Sequence, residues 1–145
     1  MAKKKSRVKH ASKRYQVFLS HATGDKWLAR TLCEKIEATG AATFRDDRDI
    51  HGGDDIPDEI RRQLKASNEM VVLLTPVSVD SRWVILKIGA AWGPSKRKRV
   101  TLVLCHISTD PLPATMKFKK AVTLIEFDAY IEELAARVEN HYGNG

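Results

Sequence analysis

Lys87 and Trp83 are the residues of this chain whose chemistry is most distinctive. They lie four positions apart in an apolar stretch, residues 83–92, in which Lys87 is the only charged side chain. A spacing of four places both side chains on one face of a helix. An ammonium in apolar surroundings is costly unless it reaches water, a partner or a cleft. We therefore expect Lys87 and Trp83 to form one wall of a pocket.

Three further candidates, Ser20, His21 and Ala22, follow a short β-rich run. Ser20 has no accompanying His–Asp pair, so a serine nucleophile is not expected. His21 fits either a substrate contact or a hydrogen bond to a neighbouring turn. Trp83 fits either stacking on a heterocyclic ring or core packing. Phe44, at the end of another short β-rich run, fits core packing better than pocket lining.

Composition indicates one globular domain. The chain has 145 residues, of which 43% are hydrophobic and 30% charged. No apolar run reaches the ~18 residues that span a bilayer, and the basic N-terminus lacks the apolar core of a signal peptide. Cys33 and Cys105 have no metal-ligand spacing and are expected to be buried thiols. We therefore expect a cytoplasmic protein with no membrane partner.

The positive charge is concentrated in the first 14 residues. This segment has seven basic residues and no acidic residue, so its charge of +7 equals the net charge of the whole chain. Residues 1–14 are therefore predicted to be a disordered basic tail, and residues 15–142 the folded domain. Because the domain has no charge excess, nucleic acid is expected to bind, if at all, only through the tail.

Strand and helix patterns alternate along the domain. Asp25 is the expected N-cap of the first helix and Gly40 its stop. The predicted strands cover residues 15–20, 41–44, 70–75, 100–105 and 122–127. The predicted helices cover residues 25–40, 56–64, 81–92 and 128–140.

This alternation predicts a flavodoxin-like α/β fold, with a five-stranded parallel sheet of order 2-1-3-4-5 and helices on both faces. Ligands of such sheets bind in a crevice at the carboxyl ends of the strands, where the strand order reverses. Here that crevice lies between residues 20–25, after strand 1, and residues 75–78, after strand 3.

Three segments together resemble the TIR (Toll/interleukin-1 receptor) domain family in its bacterial-type form. Residues 17–22 are similar to the family's first box, residues 44–56 to its loop after strand 2, and residues 81–92 to its third helix. The resemblance covers residues 15–140. It implies a domain of an immune-defence or signalling protein. It also implies that Ser20, His21, Ala22, Phe44 and Trp83 line a site for NAD+.

The resemblance further implies a catalytic role for position 87. Many TIR domains cleave NAD+ at the nicotinamide–ribose bond with a glutamate four residues after the tryptophan that Trp83 matches, and this chain has Lys87 there. Cleavage develops positive charge on the ribose, which a carboxylate stabilises. A unit charge ~4 Å away in an effective dielectric of ~20 contributes on the order of 4 kcal/mol. Lys87 therefore predicts loss of activity.

Other sites have weaker support. Acidic residues of the loop could approach the crevice, but a solvated loop and helix capping explain them better. Asp47, Asp49 and Gly52 resemble a calcium loop only faintly, since no bidentate glutamate follows. No P-loop or GxGxxG motif occurs. A phosphoacceptor receiver is excluded because the strand 70–75 carries no aspartate. We expect no metal and no prosthetic group.

Two hypotheses remain open. One is an NAD+-binding TIR scaffold that Lys87 has made inactive, and the other is a non-catalytic TIR interaction module. Both predict self-association through the loop from Arg45 to Asp55 and through helix faces. NAD+ is the expected substrate or ligand.

Overall fold

A five-stranded parallel sheet forms the centre of the domain. The structure is a computed structural model that describes residues 14–45, 58–78, 98–107 and 120–143. The strand order is β2-β1-β3-β4-β5, as the sequence predicts. The strands are β1 (Gln16–Ser20), β2 (Ala42–Arg45), β3 (Glu69–Leu74), β4 (Arg99–Leu104) and β5 (Lys120–Thr123).

Three α-helices of the described ranges pack on this sheet. They are α1 (Lys26–Glu37), α2 (Asp58–Ala66) and α3 (Phe127–Gly143), and a 3-10 turn (Thr23–Asp25) precedes α1. Apolar side chains recur at helical spacing on each of them, for example Leu32 and Ile36 on α1 or Ile60 and Leu64 on α2. Each helix therefore has one face that must be buried.

The sheet separates two apolar clusters, so helices cover both of its faces, as predicted. One cluster joins α1 and α3 to one side of the strands. The other joins α2 to the opposite side. Every residue of β3 is buried, which explains its nearly continuous apolar sequence, because a central parallel strand is covered on both faces.

Three local predictions change in the structure. The strand expected at residues 122–127 is instead β5 at Lys120–Thr123, and Phe127 already begins α3. Arg45 belongs to β2 and not to an exposed loop. Asp25 precedes α1, but its side chain makes no capping hydrogen bond, because it bonds to a distant residue described below.

Gly40 ends the turn after α1, as expected from its sequence position. Its φ is +99°, a left-handed conformation that side chains other than glycine rarely adopt. A Cβ there would lie 3.5 Å from Cγ1 of Val138 on α3. Gly40 therefore allows the chain to turn back toward β2 beneath the C-terminal helix.

Candidate functional site

The carboxyl end of β1 lies beside the carboxyl end of β3, where the strand order reverses. Ser20 is in register with Val72 of β3, and His21 and Ala22 follow directly. Three of the predicted site residues thus lie at the crevice that parallel α/β sheets use for ligands.

Ser20 has a buried hydroxyl without a partner. Its side chain is fully inaccessible, and within the described part of the chain its Oγ has no hydrogen-bond partner. Leaving such a group unpaired costs about 1–3 kcal/mol. Thr101 Oγ1, in the middle of β4, is in the same state. Ser20 differs in being the last residue of its strand, next to the crevice, although its Oγ is itself inaccessible in this structure.

His21 is buried and bonds to its own loop. Its Nδ1 lies 2.7 Å from the carbonyl oxygen of Ala22. Because a carbonyl oxygen only accepts, Nδ1 carries the proton in this contact. The same Ala22 oxygen also accepts the backbone N–H of Asp25 at 2.9 Å. The structure therefore gives His21 the neighbouring-turn contact that the sequence left open, and the Ala22 carbonyl already has two donors.

Phe44 packs against the core. It is the register partner of Phe18, and the two ring centroids are 5.4 Å apart. Its side chain lies against the α2-facing cluster and is only partly buried. Phe18 and Ser20 are two residues apart on β1, so their side chains point to the same face of the sheet. Phe44 is paired with Phe18 and therefore forms an apolar wall on the face to which Ser20 points.

Asp25, Thr75 and Ser78 hold the two sides of the crevice together. Thr75 donates its hydroxyl to Asp25 Oδ2 at 2.8 Å, which joins the loop after β1 to the loop after β3. The Thr75 backbone N–H donates to Ser78 Oγ at 2.8 Å, and that hydroxyl donates to the Leu73 carbonyl at 3.2 Å. We call Asp25, Thr75 and Ser78 the crevice clamp.

Exposed apolar side chains border the clamp. Trp27, in the first turn of α1, is 76% exposed, and Val77, between Thr75 and Ser78, is 70% exposed. The 3-10 turn before α1 lies close to Val77, since a Cβ on Gly24 would lie 3.8 Å from Val77 Cγ1. Large apolar groups left in water next to a crevice are typical of binding sites.

Two predicted site residues, Trp83 and Lys87, lie outside the described residues. So do residues 46–55 of the predicted assembly loop, whose first member Arg45 ends β2. Among residues 14–45, 58–78, 98–107 and 120–143, no group of three His, Cys, Asp or Glu could hold a metal ion. In the same ranges no helix is both long and apolar enough to cross a membrane.

The opposite edge of the sheet contains a buried ion pair. Glu69, at the amino end of β3, is fully inaccessible. Arg137 of α3 donates to it from Nε at 2.9 Å and from Nη2 at 3.0 Å. Tyr130 donates its hydroxyl at 2.6 Å, and Tyr15 donates a further one. We call these four residues the Glu69 cluster. Each of the two carboxylate oxygens of Glu69 accepts two hydrogen bonds.

The phenols and the guanidinium respond to this environment. Burial, followed by the hydrogen bond to Glu69, raises the pKa of Tyr15 to about 12. Burial and the charge of Glu69 also raise the pKa of Tyr130. For Arg137 burial acts in the opposite direction, but the hydrogen bond and charge of Glu69 outweigh it and raise its pKa. All three groups therefore keep their protons at neutral pH.

The crevice clamp and the Glu69 cluster were not predicted from the sequence. Asp25 was expected to be a helix cap, and no role was expected for Thr75, Ser78 or Glu69. One signal was present, since Glu69 directly precedes an apolar strand and its charge needs a buried partner. The identity of that partner, 68 residues away, could not be read from spacing.

The fold defines the class: a flavodoxin-like α/β domain whose strand order reverses between β1 and β3. The TIR domain family profile matches residues 17–138. The chain belongs to the TIR domain family, as the resemblance in its sequence implied.

Similar proteins include metazoan receptors. The chain is 23% identical over 117 residues to the stimulator of interferon genes protein of Magallana gigas, covering 77% of this chain and 28% of that protein. It therefore spans just over a quarter of the curated relative's length. A metazoan TIR-STING receptor from C. gigas, solved with 2′,3′-cGAMP, matches with TM-score 0.67 and 22% identity, covering 83% of this chain and 39% of the other.

The TIR domain of the Toll-related receptor TRR-2 from Hydra magnipapillata matches over its full extent. The TM-score is 0.64 at 19% identity, and the match covers 86% of this chain and 98% of that one. At identities this low, the TM-scores show that the proteins share a fold. These relatives are metazoan, so they give no support to the bacterial-type form that the third predicted helix suggested.

Proposed function

We propose that this chain is the TIR domain of an immune-defence or signalling protein, and that its crevice binds NAD+ or a related nucleotide without cleaving it. The observation that carries the proposal is the buried, unpartnered hydroxyl of Ser20 at the carboxyl end of β1. Because this oxygen is inaccessible in the unliganded structure, a ligand hydroxyl or amide would supply the missing hydrogen bond once the residues that follow β1 shift to admit it.

The crevice clamp supports a ligand role for this edge. The bond between Thr75 and Asp25 fixes the two crevice loops to each other, so little conformational entropy remains to be lost on binding. The exposed Trp27 and Val77 beside it offer apolar surface to a ring system. Phe44 contributes part of the wall on the α2 side.

The sequence of residues 83–92 supports the lack of cleavage. Lys87 stands where catalytic members of the family have glutamate, four residues after Trp83. An ammonium near the ribose opposes the positive charge that develops as the nicotinamide bond breaks. With about 4 kcal/mol at stake for each unit interaction, the rate would fall by several powers of ten.

The proposal includes self-association. The loop from Arg45 to Asp55 has mixed charges and a length suited to contact a second copy, and helix faces supply further surface. The alternative function is a TIR interaction module with no nucleotide site at all. Lys87 is compatible with both, whereas an unpaired buried Ser20 hydroxyl favours a ligand.

Two measurements test the nucleotide site. Calorimetric titration with NAD+ should detect binding to the unaltered chain, and Ser20→Ala should weaken it about tenfold, the value of one hydrogen bond to a desolvated group. Ser67→Ala, which removes a hydroxyl at the opposite edge of the sheet, is the matched control and should leave affinity unchanged. Absence of binding to the unaltered chain would select the interaction module.

A third measurement tests the role of position 87. Lys87→Glu should release nicotinamide from NAD+ at high protein concentration, while the unaltered chain stays silent. Lys87→Gln removes the cation without supplying a carboxylate and should remain inactive. Cleavage by the unaltered chain, or a folded and assembled Lys87→Glu protein that binds NAD+ and remains inactive, would each refute the account of Lys87.

A further inference from the structure

The outer side of α2 forms a cationic groove. The helix begins with the acidic residues Asp58 and Glu59, and its basic residues follow them. Arg61, Arg62 and Lys65 are exposed and, with Asp58 at one end, line a groove of about 410 Å³. We call it the α2 groove. Its positive charge lies toward the C-terminal end of the helix.

A further cation is held at that end of the helix. Lys98, which directly precedes β4, donates from Nζ to the carbonyl oxygen of Lys65 at 3.3 Å and also to that of Leu64. The last carbonyl groups of a helix have no partner within the helix, so they accept an ammonium readily. Lys96 and Arg97 directly precede Lys98 in the sequence. The positive charge of the groove therefore continues into the chain before β4.

The basic N-terminal segment enters the fold beside the same end of α2. Gln16 donates from Nε2 to Gln63 at 3.0 Å and to Ser67 at 2.8 Å, and these two residues belong to the last turn of α2 and the residue after it. Arg14 is exposed two residues earlier. At about 3.3–3.6 Å for each residue, the 13 residues before it can extend about 45 Å, whereas the nine residues of α2 span about 14 Å. One ligand can therefore contact both the segment and the groove.

The acidic residues of α3 lie on the other side of the sheet. The buried side of α3 belongs to one apolar cluster and that of α2 to the other. Asp128, Glu132 and Glu139 are exposed on α3. The absence of a charge excess in the folded domain is thus an average over two unlike faces. It does not exclude a polyanion on the side of α2.

We propose that the α2 groove and the basic N-terminal segment together bind the phosphate backbone of a nucleic-acid duplex, without selecting its sequence. A DNA duplex has one negative charge for about every 1.7 Å of its axis, and lysine and arginine neutralise these charges. Guanidinium groups such as those of Arg61 and Arg62 bind phosphate oxygens at two points. None of the four residues that line the groove is aromatic, so unpaired bases would have no ring to stack on. A duplex therefore fits better than a single strand.

A lipid surface fits this region less well. Proteins that lie on anionic membranes combine cations with apolar side chains that enter the bilayer. None of the four residues that line the α2 groove is apolar. A concave groove also receives a protruding sugar-phosphate backbone better than it receives a flat bilayer. The exposed large apolar residues of the described ranges all lie outside the groove: Trp27, Val77, Leu124, Ile125 and Tyr142.

The experiment measures fluorescence anisotropy of a labelled DNA duplex of about 20 base pairs, which carries about 40 phosphate charges, during titration with the full chain. Between about 0.05 M and about 0.2 M salt, the logarithm of the association constant should fall linearly with that of the salt concentration, by about 0.9 for each phosphate contact. A duplex of unrelated sequence should bind equally well. An RNA duplex of the same length shows which of the two nucleic acids binds more tightly, and binding of either one supports the proposal.

Two double variants test the groove. Arg62→Gln with Lys65→Gln removes two of its cations, so it should weaken binding at least about tenfold and reduce the salt slope by about 2. The matched control is Lys26→Gln with Arg30→Gln, which makes the same change of charge at exposed positions of α1, on the other side of the sheet. This control should change neither the affinity nor the salt slope.

A third double variant tests the N-terminal segment. Lys4→Gln with Lys5→Gln should also reduce the salt slope by about 2, and the reduction should add to that of the groove variant when the two are combined. All of these positions are in the N-terminal segment or on exposed helix faces. Urea denaturation should therefore show unfolding free energies within about 0.5 kcal/mol of the unaltered chain.

Four results would overturn the proposal. They are the absence of duplex binding at low salt, a groove variant that binds as tightly as the unaltered chain, a control variant as impaired as the groove variant, and tighter binding to phosphatidylserine vesicles or to a single strand than to the duplex. The titrations contain no NAD+, and no substituted residue belongs to the crevice clamp or to the predicted NAD+ site. Failure here is therefore separable from failure of the nucleotide site.

Discussion

The two edges of the sheet treat buried polar groups in opposite ways. At the amino edge, Glu69 has two donors on each carboxylate oxygen. At the carboxyl edge, the hydroxyl of Ser20 is as deeply buried and has no partner in the described structure. A satisfied buried group stabilises the folded chain, whereas an unsatisfied one weakens it. The comparison separates a structural polar cluster from a candidate binding site.

The largest effect is expected at the amino edge. Arg137→Met removes both bidentate donors and leaves the fully buried Glu69 without its cation. Breaking such a pair costs about 3–5 kcal/mol, and urea denaturation should show this loss of unfolding free energy. Glu132→Ala on the exposed side of the same helix is the control, and it should change stability by less than about 0.5 kcal/mol. Similar losses of unfolding free energy for Arg137→Met and Glu132→Ala would mean that the Glu69 cluster does not contribute specifically to stability.

Alkaline pH should selectively weaken the Glu69 cluster. The pKa of Tyr15 is raised to about 12 from its ordinary value of 10, so folding favours the protonated phenol. This contribution is fully present below pH 10 and is lost as pH rises through about 12.

The measurement is the unfolding free energy of the chain and of Tyr15→Phe between pH 9 and pH 12. The variant lacks the ionisable group, so its stability should fall less steeply over that range. Parallel curves for the two proteins would show that Tyr15 does not ionise differently in the folded state.

At the carboxyl edge, Thr75→Val tests the crevice clamp. It removes the hydroxyl that donates a hydrogen bond to Asp25 at 2.8 Å, while it keeps the size of the side chain. We expect a loss of about 1 kcal/mol in thermal unfolding, the typical value of one hydrogen bond. NAD+ affinity should fall as well, because the two crevice loops are no longer joined. Unchanged affinity would mean that the clamp does not position the site.

Ser20→Ala should have the smallest effect on stability. Since its hydroxyl has no partner, removing it should leave unfolding free energy unchanged or raise it by up to about 1 kcal/mol. The same substitution should weaken NAD+ binding. A residue that costs stability and contributes to binding is the signature expected of a functional position. A clear destabilisation by Ser20→Ala would mean instead that the hydroxyl is part of the structure.

Particular residues show how far the sequence alone could lead. The apolar run of β3 and the strand–helix alternation predicted the sheet order, because a strand buried on both faces and right-handed crossovers leave few arrangements. Ser20, His21 and Ala22 lie at the carboxyl end of β1 beside β3, as the topology predicted, and their role in binding stays a prediction. The end of β5 was misplaced, because Leu124 and Ile125 are apolar but exposed, and apolar character alone could not distinguish them from strand residues.

The sequence by itself determined the family, the topology, the edge of the sheet that carries the crevice, and the presence of lysine at position 87. Only the tertiary structure decided which polar groups have partners. Asp25 and Thr75 are 50 residues apart, and Glu69 and Arg137 are 68 apart. Periodicity and capping patterns describe neighbours along the chain, whereas hydrogen bonds between distant side chains exist only after the sheet has brought its edges together.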